Sequence, residues 1–124
     1  MIDLTILMDT QLGRPADMLE AAANEGVDIM AACIFPRLGG RVAHLAVDTS
    51  DLAAVRRVVG NHGGVVADER ECVVVPPGHD GGIAAASRAV SDAAVLVTIA
   101  YYGRRGELIL GTSDVSGARA ALGL

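Results

Sequence analysis

The chain has 124 residues, of which 52% are hydrophobic and 20% charged, so it carries enough apolar matter for a well-buried core and is no candidate for disorder. Aromatic residues make up 2% and tryptophan is absent, which argues against nucleobase-stacking platforms and aromatic-lined pockets. The net charge is -5 and the ten basic residues are scattered, leaving no electrostatic footprint for DNA or RNA, so no nucleic-acid partner is expected.

Leu4 to Met8 reads as a first strand, followed by the loop Asp9-Thr10-Gln11-Leu12-Gly13. From Pro15 the period changes: Met18, Leu19, Ala22 and Ala23 fall at helical spacing, Pro15 suits a first helical turn, and Gly26 suits a left-handed stop. Val27 to Phe35 reads as a second strand, Pro36 to Gly40 as a turn, and Arg41 to Val47 as an alternating third strand. Asp48-Thr49-Ser50-Asp51 offers several caps for a helix carrying Leu52, Val55, Val58 and Val59, which stops in the run Gly60 to Gly64 before a fourth strand opens at Val65. The order then restarts. Cys72 to Val75 is read as a strand, Gly81 to Ala93 as a helix, Val95 to Tyr102 as a strand, Gly103 to Gly106 as a hairpin turn and Glu107 to Leu110 as a strand. Ser113-Asp114 caps a last helix through Leu122.

Strand, helix, strand, strand, helix, strand is the split β-α-β order, which closes into an antiparallel sheet with both helices on one face, the ferredoxin-like arrangement. The expected fold is therefore α+β, with two such modules in tandem, 1–68 and 69–124, the second lacking its final strand. The duplication is visible in the residues: the phrase from Gly13 to Ile29 recurs, degraded, from Gly81 to Val97. Met1-Ile2-Asp3-Leu4-Thr5 lacks the basic start and long apolar run of a signal peptide, and no apolar stretch approaches the roughly 20 residues of a membrane span. The expected location is cytoplasmic, with no membrane partner. Cys33 and Cys72 lie in apolar runs and read as small buried hydrophobes.

The segment Gly13-Arg14-Pro15-Ala16-Asp17-Met18-Leu19-Glu20-Ala21-Ala22-Ala23-Asn24-Glu25-Gly26-Val27-Asp28-Ile29 resembles the ACT-domain signature, in which a strand ends in a Gly-containing loop and the following helix terminates in a Gly-Val-Asn-Ile-like step. The whole chain looks like the small stand-alone tandem-ACT proteins. ACT domains are regulatory modules that bind amino acids or similar ligands at interfaces between modules, often within allosteric metabolic enzymes. The resemblance implies a small-molecule ligand, an amino acid in class, bound by a regulatory protein without catalytic machinery or cofactor. It also implies a homodimer or higher homo-oligomer and, as a further partner, a metabolic enzyme. This sequence departs from the signature where Leu12 and Asp80 precede the loop glycines, in place of a frequent proline, and where Leu96 stands opposite Asp28.

An amino acid needs backbone donors for its carboxylate, acceptors for its ammonium, and a wall for its side chain. The loop around Gln11, Leu12, Gly13 and Arg14 leads into a helix N-terminus whose free N–H groups and dipole favour a carboxylate. Asp9, Gln11 and Asp28 are candidate acceptors. The matching loop of the second copy offers His79, Asp80 and Gly81 among several glycines, where backbone approach is unhindered. Tyr101 and Tyr102 point to opposite faces of their strand, so at most one is buried toward the helices and the other is a candidate ligand wall or interface residue. His44, His62 and His79 have none of the close spacings of a metal site, and no nucleophile elbow or Walker loop occurs, so no catalytic residue and no metal are expected. The competing reading is an assembly module that binds no ligand and uses its Ala-rich helix and apolar strand to oligomerise or to dock on a metabolic enzyme.

Overall fold

The order of elements read from the sequence is the order of the computed structural model, which describes residues 1–9 and 15–124. Among the described residues, seven strands, β1 (Ile2–Asp9), β2 (Ala31–Arg37), β3 (Gly40–Val47), β4 (Val65–Glu71), β5 (Val73–Val75), β6 (Val97–Tyr102) and β7 (Leu108–Thr112), are distributed over two sheets. The helices are α1 (Pro15–Asn24), α2 (Leu52–Asn61), α3 (Gly82–Asp92) and α4 (Val115–Leu122). Among the described residues, no helix is long and apolar enough to cross a membrane.

The chain divides into two compact units, one of Ile2–Arg70 and one of Glu71–Leu124 together with Met1. In the first, the sheet order is β2-β3-β1-β4, the ferredoxin-like order, and β3 pairs antiparallel with both β1 and β2. Alternation along the strands sends Leu4, Ile6 and Met8 of β1 and Ala43, Leu45 and Val47 of β3 to one face. There they meet Met18 and Ala22 of α1 and Val55, Val58 and Val59 of α2, so both helices cover the same side of the sheet. The second unit repeats this with three strands in the order β5-β7-β6 and no fourth. Val73, Val75, Leu108 and Leu110 pack on Ala86 and Val90 of α3 and Ala118 and Leu122 of α4. The architecture is two ferredoxin-like modules in tandem, the second without its last strand.

Two strands begin later than their apolar residues suggest. Val27 and Val95 read as the first residues of strands, but the strands start at Ala31 and Val97. Both valines instead close the preceding helix. Val27 N–H donates to Ala22 C=O (3.1 Å) while Gly26 N–H donates to Ala23 C=O (3.0 Å), the bond pair of a Schellman stop. Val95 to Val90 (3.1 Å) and Ala94 to Ser91 (2.9 Å) repeat it. The apolar residue after the stop packs back on the core in each case, at 7% exposure. At the other end of β2, Pro36 and Arg37 read as turn but belong to the strand, opposite Arg41 and Gly40. An edge strand tolerates proline because its missing N–H faces no neighbour. Gly40 is required at that corner, since a Cβ there would lie 2.0 Å from Met8 C=O.

The left-handed residue of the stop is Gly26 (φ +82°) after α1 but Ala94 (φ +59°) after α3, the one non-glycine with positive φ among the described residues. The Cβ of Ala94 strains this conformation by about 1–2 kcal/mol, offset in part by the lower chain entropy of alanine in the unfolded state. Ala94→Gly is therefore expected to stabilise the second unit by about 1 kcal/mol, read as a rise of a few degrees in its melting temperature. A fall would mean that the alanine methyl makes contacts that outweigh the strain.

Candidate functional site

The β5–α3 loop, Pro76 to Gly81, leaves the sheet and enters α3 through Gly81, which has φ +78° and provides no side-chain cap. A Cβ at Gly81 would also lie 2.4 Å from Ala85 Cβ, so neither backbone nor packing admits another residue comfortably. Between this loop, the start of α3 and the ends of β6 and β7 lies a cavity of about 310 Å³. Its apolar walls are Val75, Pro76 and Leu108, with Val75 and Leu108 each 3% exposed. Gly78, Gly82 and Gly106 leave space along the rim, and the two polar side chains on the wall are His79 and Tyr102.

Tyr102 reaches the cavity through the sheet register. It pairs with Leu108, and Ala100 pairs with Leu110, so Tyr102 lies on the helix-bearing face at the strand's end. Tyr101, opposite Ile109, lies on the other face and is 8% exposed, whereas Tyr102 is 53% exposed. Neither tyrosine is buried beneath the helices, because Tyr102 stands beyond the end of α3 and lines the cavity mouth. A Cβ on Gly82 would lie 3.9 Å from the Tyr102 hydroxyl.

His79 ties this loop to the end of α4. Its Nε2 lies 3.0 Å from Leu122 C=O, so Nε2 carries the proton and donates it. That tautomer leaves Nδ1 an acceptor, and Nδ1 is buried without a hydrogen-bond partner. An unmatched buried acceptor costs about 1–3 kcal/mol, which a ligand N–H would recover on a small shift of the ring. Asp80, the next residue, is exposed and stands outside the cavity lining.

The predicted residues of the first copy are not all within view. Gln11, Leu12, Gly13 and Arg14 lie outside the described residues. Asp9 is the last residue of β1, opposite Gly40. Asp28 is exposed between α1 and β2, with its N–H donating to Asp51 Oδ2 (3.2 Å). Met30 N–H bonds to Ala46 C=O (2.9 Å), which puts this segment at the opposite end of β3 from Gly40, about 20 Å away at strand spacing. Asp9 and Asp28 of one module are therefore not brought to one small ligand, whereas His79, Asp80 and Gly81 form one continuous loop.

A larger hollow of about 580 Å³ lies in the first unit between α2 and β4, over Val59, Gly60, Gly64 and Val66. It is an open trough, and its charged rim is satisfied internally by the Arg56–Glu69 and Arg70–Asp68 pairs. The smaller, more enclosed cavity beside His79 has the better combination of apolar wall and convergent polar groups. Among the described residues, no group of three or more His, Cys, Asp or Glu could hold a metal ion.

A second polar cluster, on the helix-free face of the first sheet, was not signalled by any motif. Asp3 is fully buried and accepts from His44 Nδ1 (3.1 Å), and the Phe35 ring stands edge-on to His44 at 6.4 Å between centroids. Cys33 is the cross-strand partner of His44. Burial pushes the Cys33 thiol pKa up and the charge of Asp3 adds to this, while a hydrogen bond from the His44 backbone works the other way. The thiol is thereby kept protonated and poorly nucleophilic. The one signal in the sequence is an aspartate near the start of a mostly apolar strand.

No protein-family model matches the sequence, and no curated protein matches it. Several solved structures share the fold over 98% of this chain. One is protein BT0572 from Bacteroides thetaiotaomicron, with a TM-score of 0.76 at 18% identity over 85% of that chain. Another is the ligand-free regulatory subunit of aspartate kinase from Thermus thermophilus, with a TM-score of 0.68 at 14% identity over 87% of that chain. The corresponding subunit from Thermus flavus has a TM-score of 0.59 at 15% identity over 90% of its length. At such identities the likeness is one of fold.

Proposed function

We propose that this protein is a ligand-responsive regulatory module that binds a small molecule, an amino acid in class, and carries no catalytic activity of its own. The observation that carries this reading is the half-open cavity at the β5–α3 loop, whose lining combines an apolar wall with the side chains of Tyr102 and His79, the latter holding a buried Nδ1 without a hydrogen-bond partner. The corresponding loop of the first module, Asp9 to Arg14, is the second site of this reading, with Asp28 as an acceptor presented to a neighbouring module or chain. The functional domains are then 1–68 and 69–124, in a cytoplasmic homo-oligomer that acts on a metabolic enzyme. The regulatory subunits of aspartate kinase support it through shared fold, since there too the fold belongs to a regulatory component.

The test is a thermal-shift screen of the full chain against the twenty amino acids. A ligand at a hundred times its Kd stabilises the folded state by about 2.7 kcal/mol, a shift of several degrees for a protein of this size. No shift at millimolar concentration would defeat the reading. It would favour the alternative, a ligand-free assembly module, for which Phe35 (49% exposed) on edge strand β2 provides an apolar contact. That alternative expects the assembly to persist on sizing without ligand and to dissociate in Phe35→Glu.

A further inference from the structure

We infer that the β5–α3 cavity selects amino acids with aliphatic side chains over those with charged ones. This rests on the reading of the cavity as a ligand site and adds which ligands it takes. Val75 and Leu108 form its floor and Pro76 one side, and no aspartate, glutamate, lysine or arginine belongs to the described lining. A charged side chain entering such a space loses water and meets no counter-charge. An aliphatic one replaces water against the floor, at a gain of about fourfold in affinity for each buried methylene.

The polar groups on the wall do not oppose this ordering. His79 Nδ1 is an acceptor, because its ring proton is committed to Leu122 C=O, and once a small shift of the ring uncovers it an acceptor suits the ammonium that every amino acid carries. The Tyr102 hydroxyl is neutral and stands at the mouth, 53% exposed. Discrimination between amino acids therefore falls to the floor and to the width of the mouth. That width is set by the Tyr102 ring on one side and on the other by the missing side chain of Gly82, whose Cβ would project to within 3.9 Å of the hydroxyl.

The experiment is isothermal titration of the full chain with glycine, L-alanine, L-valine, L-leucine, L-aspartate and L-lysine, repeated on Tyr102→Ala. The backbone groups of the ligand are constant across the series, so only the side chain is varied. L-Valine is expected to bind about 16-fold tighter than L-alanine, and L-leucine about fourfold tighter again, with L-aspartate and L-lysine weaker than L-alanine. Tyr102→Ala opens the mouth without touching the buried floor and is expected to cut the leucine-to-alanine ratio severalfold. A flat series, or L-aspartate or L-lysine binding tighter than L-leucine, would overturn the selectivity while leaving the ligand reading standing. An unchanged ratio in a folded Tyr102→Ala would also overturn it, by placing the selective site elsewhere. Silence from all six, with no thermal shift from any of the twenty amino acids, would defeat the ligand reading itself.

Discussion

Leu110→Ala is expected to destabilise the second unit by about 2–5 kcal/mol, the range for truncating a fully enclosed leucine. Leu110 has no exposed surface and lies on β7, the middle strand of its sheet, paired with Val73 on one side and Ala100 on the other. Val90, Ala118 and Leu122 close over it from the helices. Strands on both flanks restrict collapse around the void, so the cost belongs toward the upper part of that range. A module of this length buries a smaller fraction of its surface than a full-sized domain does, and total stabilities are only about 5–15 kcal/mol, so the loss removes a large share of what holds it. Hydrogen exchange checks this: amides of β5, β6 and β7 should lose protection, while Leu38→Ala, at a fully exposed position, should leave exchange unaltered. Unchanged protection in Leu110→Ala would contradict the core assignment.

Most of the fold was legible because its signals are local. Leu4, Ile6 and Met8 alternate, Val55, Val58 and Val59 recur at helical spacing, and Asp114 precedes a helix whose Gly117 N–H it caps at 3.0 Å. The errors cluster where one residue type serves two ends. Val27 and Val95 look like strand residues because β-branched side chains favour strands, yet each is the apolar closure of a helix stop two or more residues before its strand begins. Pro36 looks like a turn residue until the strand is known to lie at the edge of the sheet, which is a property of strand order and not of the local sequence.

The site was legible as a place and less so as a set of side chains. Glycines clustered between a strand and a helix point to the loop of His79, Asp80 and Gly81, of which His79 alone lines the cavity. Tyr102, Gly82 and Gly106 complete the cavity from elements elsewhere in the sequence, and only the register of β6 on β7 brings them to it. The chemistry of His79 depends on a carbonyl 43 residues away, which no pattern near His79 reveals. Asp9 and Asp28 show the converse: each flanks a plausible loop, and the topology then separates them by the length of a strand.

The Asp3–His44 contact should prove energetic and not decorative. Asp3 faces away from the helices on β1, one step diagonal from His44 on β3, where Thr5 is the direct partner of His44. A hydrogen bond to a buried carboxylate is worth about 1.5–3 kcal/mol, so His44→Ala is expected to cost that much, and His44→Gln, which restores a donor, less. A double-mutant cycle with Asp3→Asn isolates the pair, and a coupling near zero would show that the contact contributes nothing. Asp3→Asn has a second, independent readout. Burial alone would still hold the Cys33 thiol pKa up, but the part due to the negative charge of Asp3 disappears. The pKa should fall, more thiolate should be present at mildly alkaline pH, and alkylation of Cys33 should quicken in Asp3→Asn relative to the parent. Slower or unchanged alkylation would mean that the charge on Asp3 is not felt at the sulfur, and that the cluster is held together by packing of Phe35 on His44 instead.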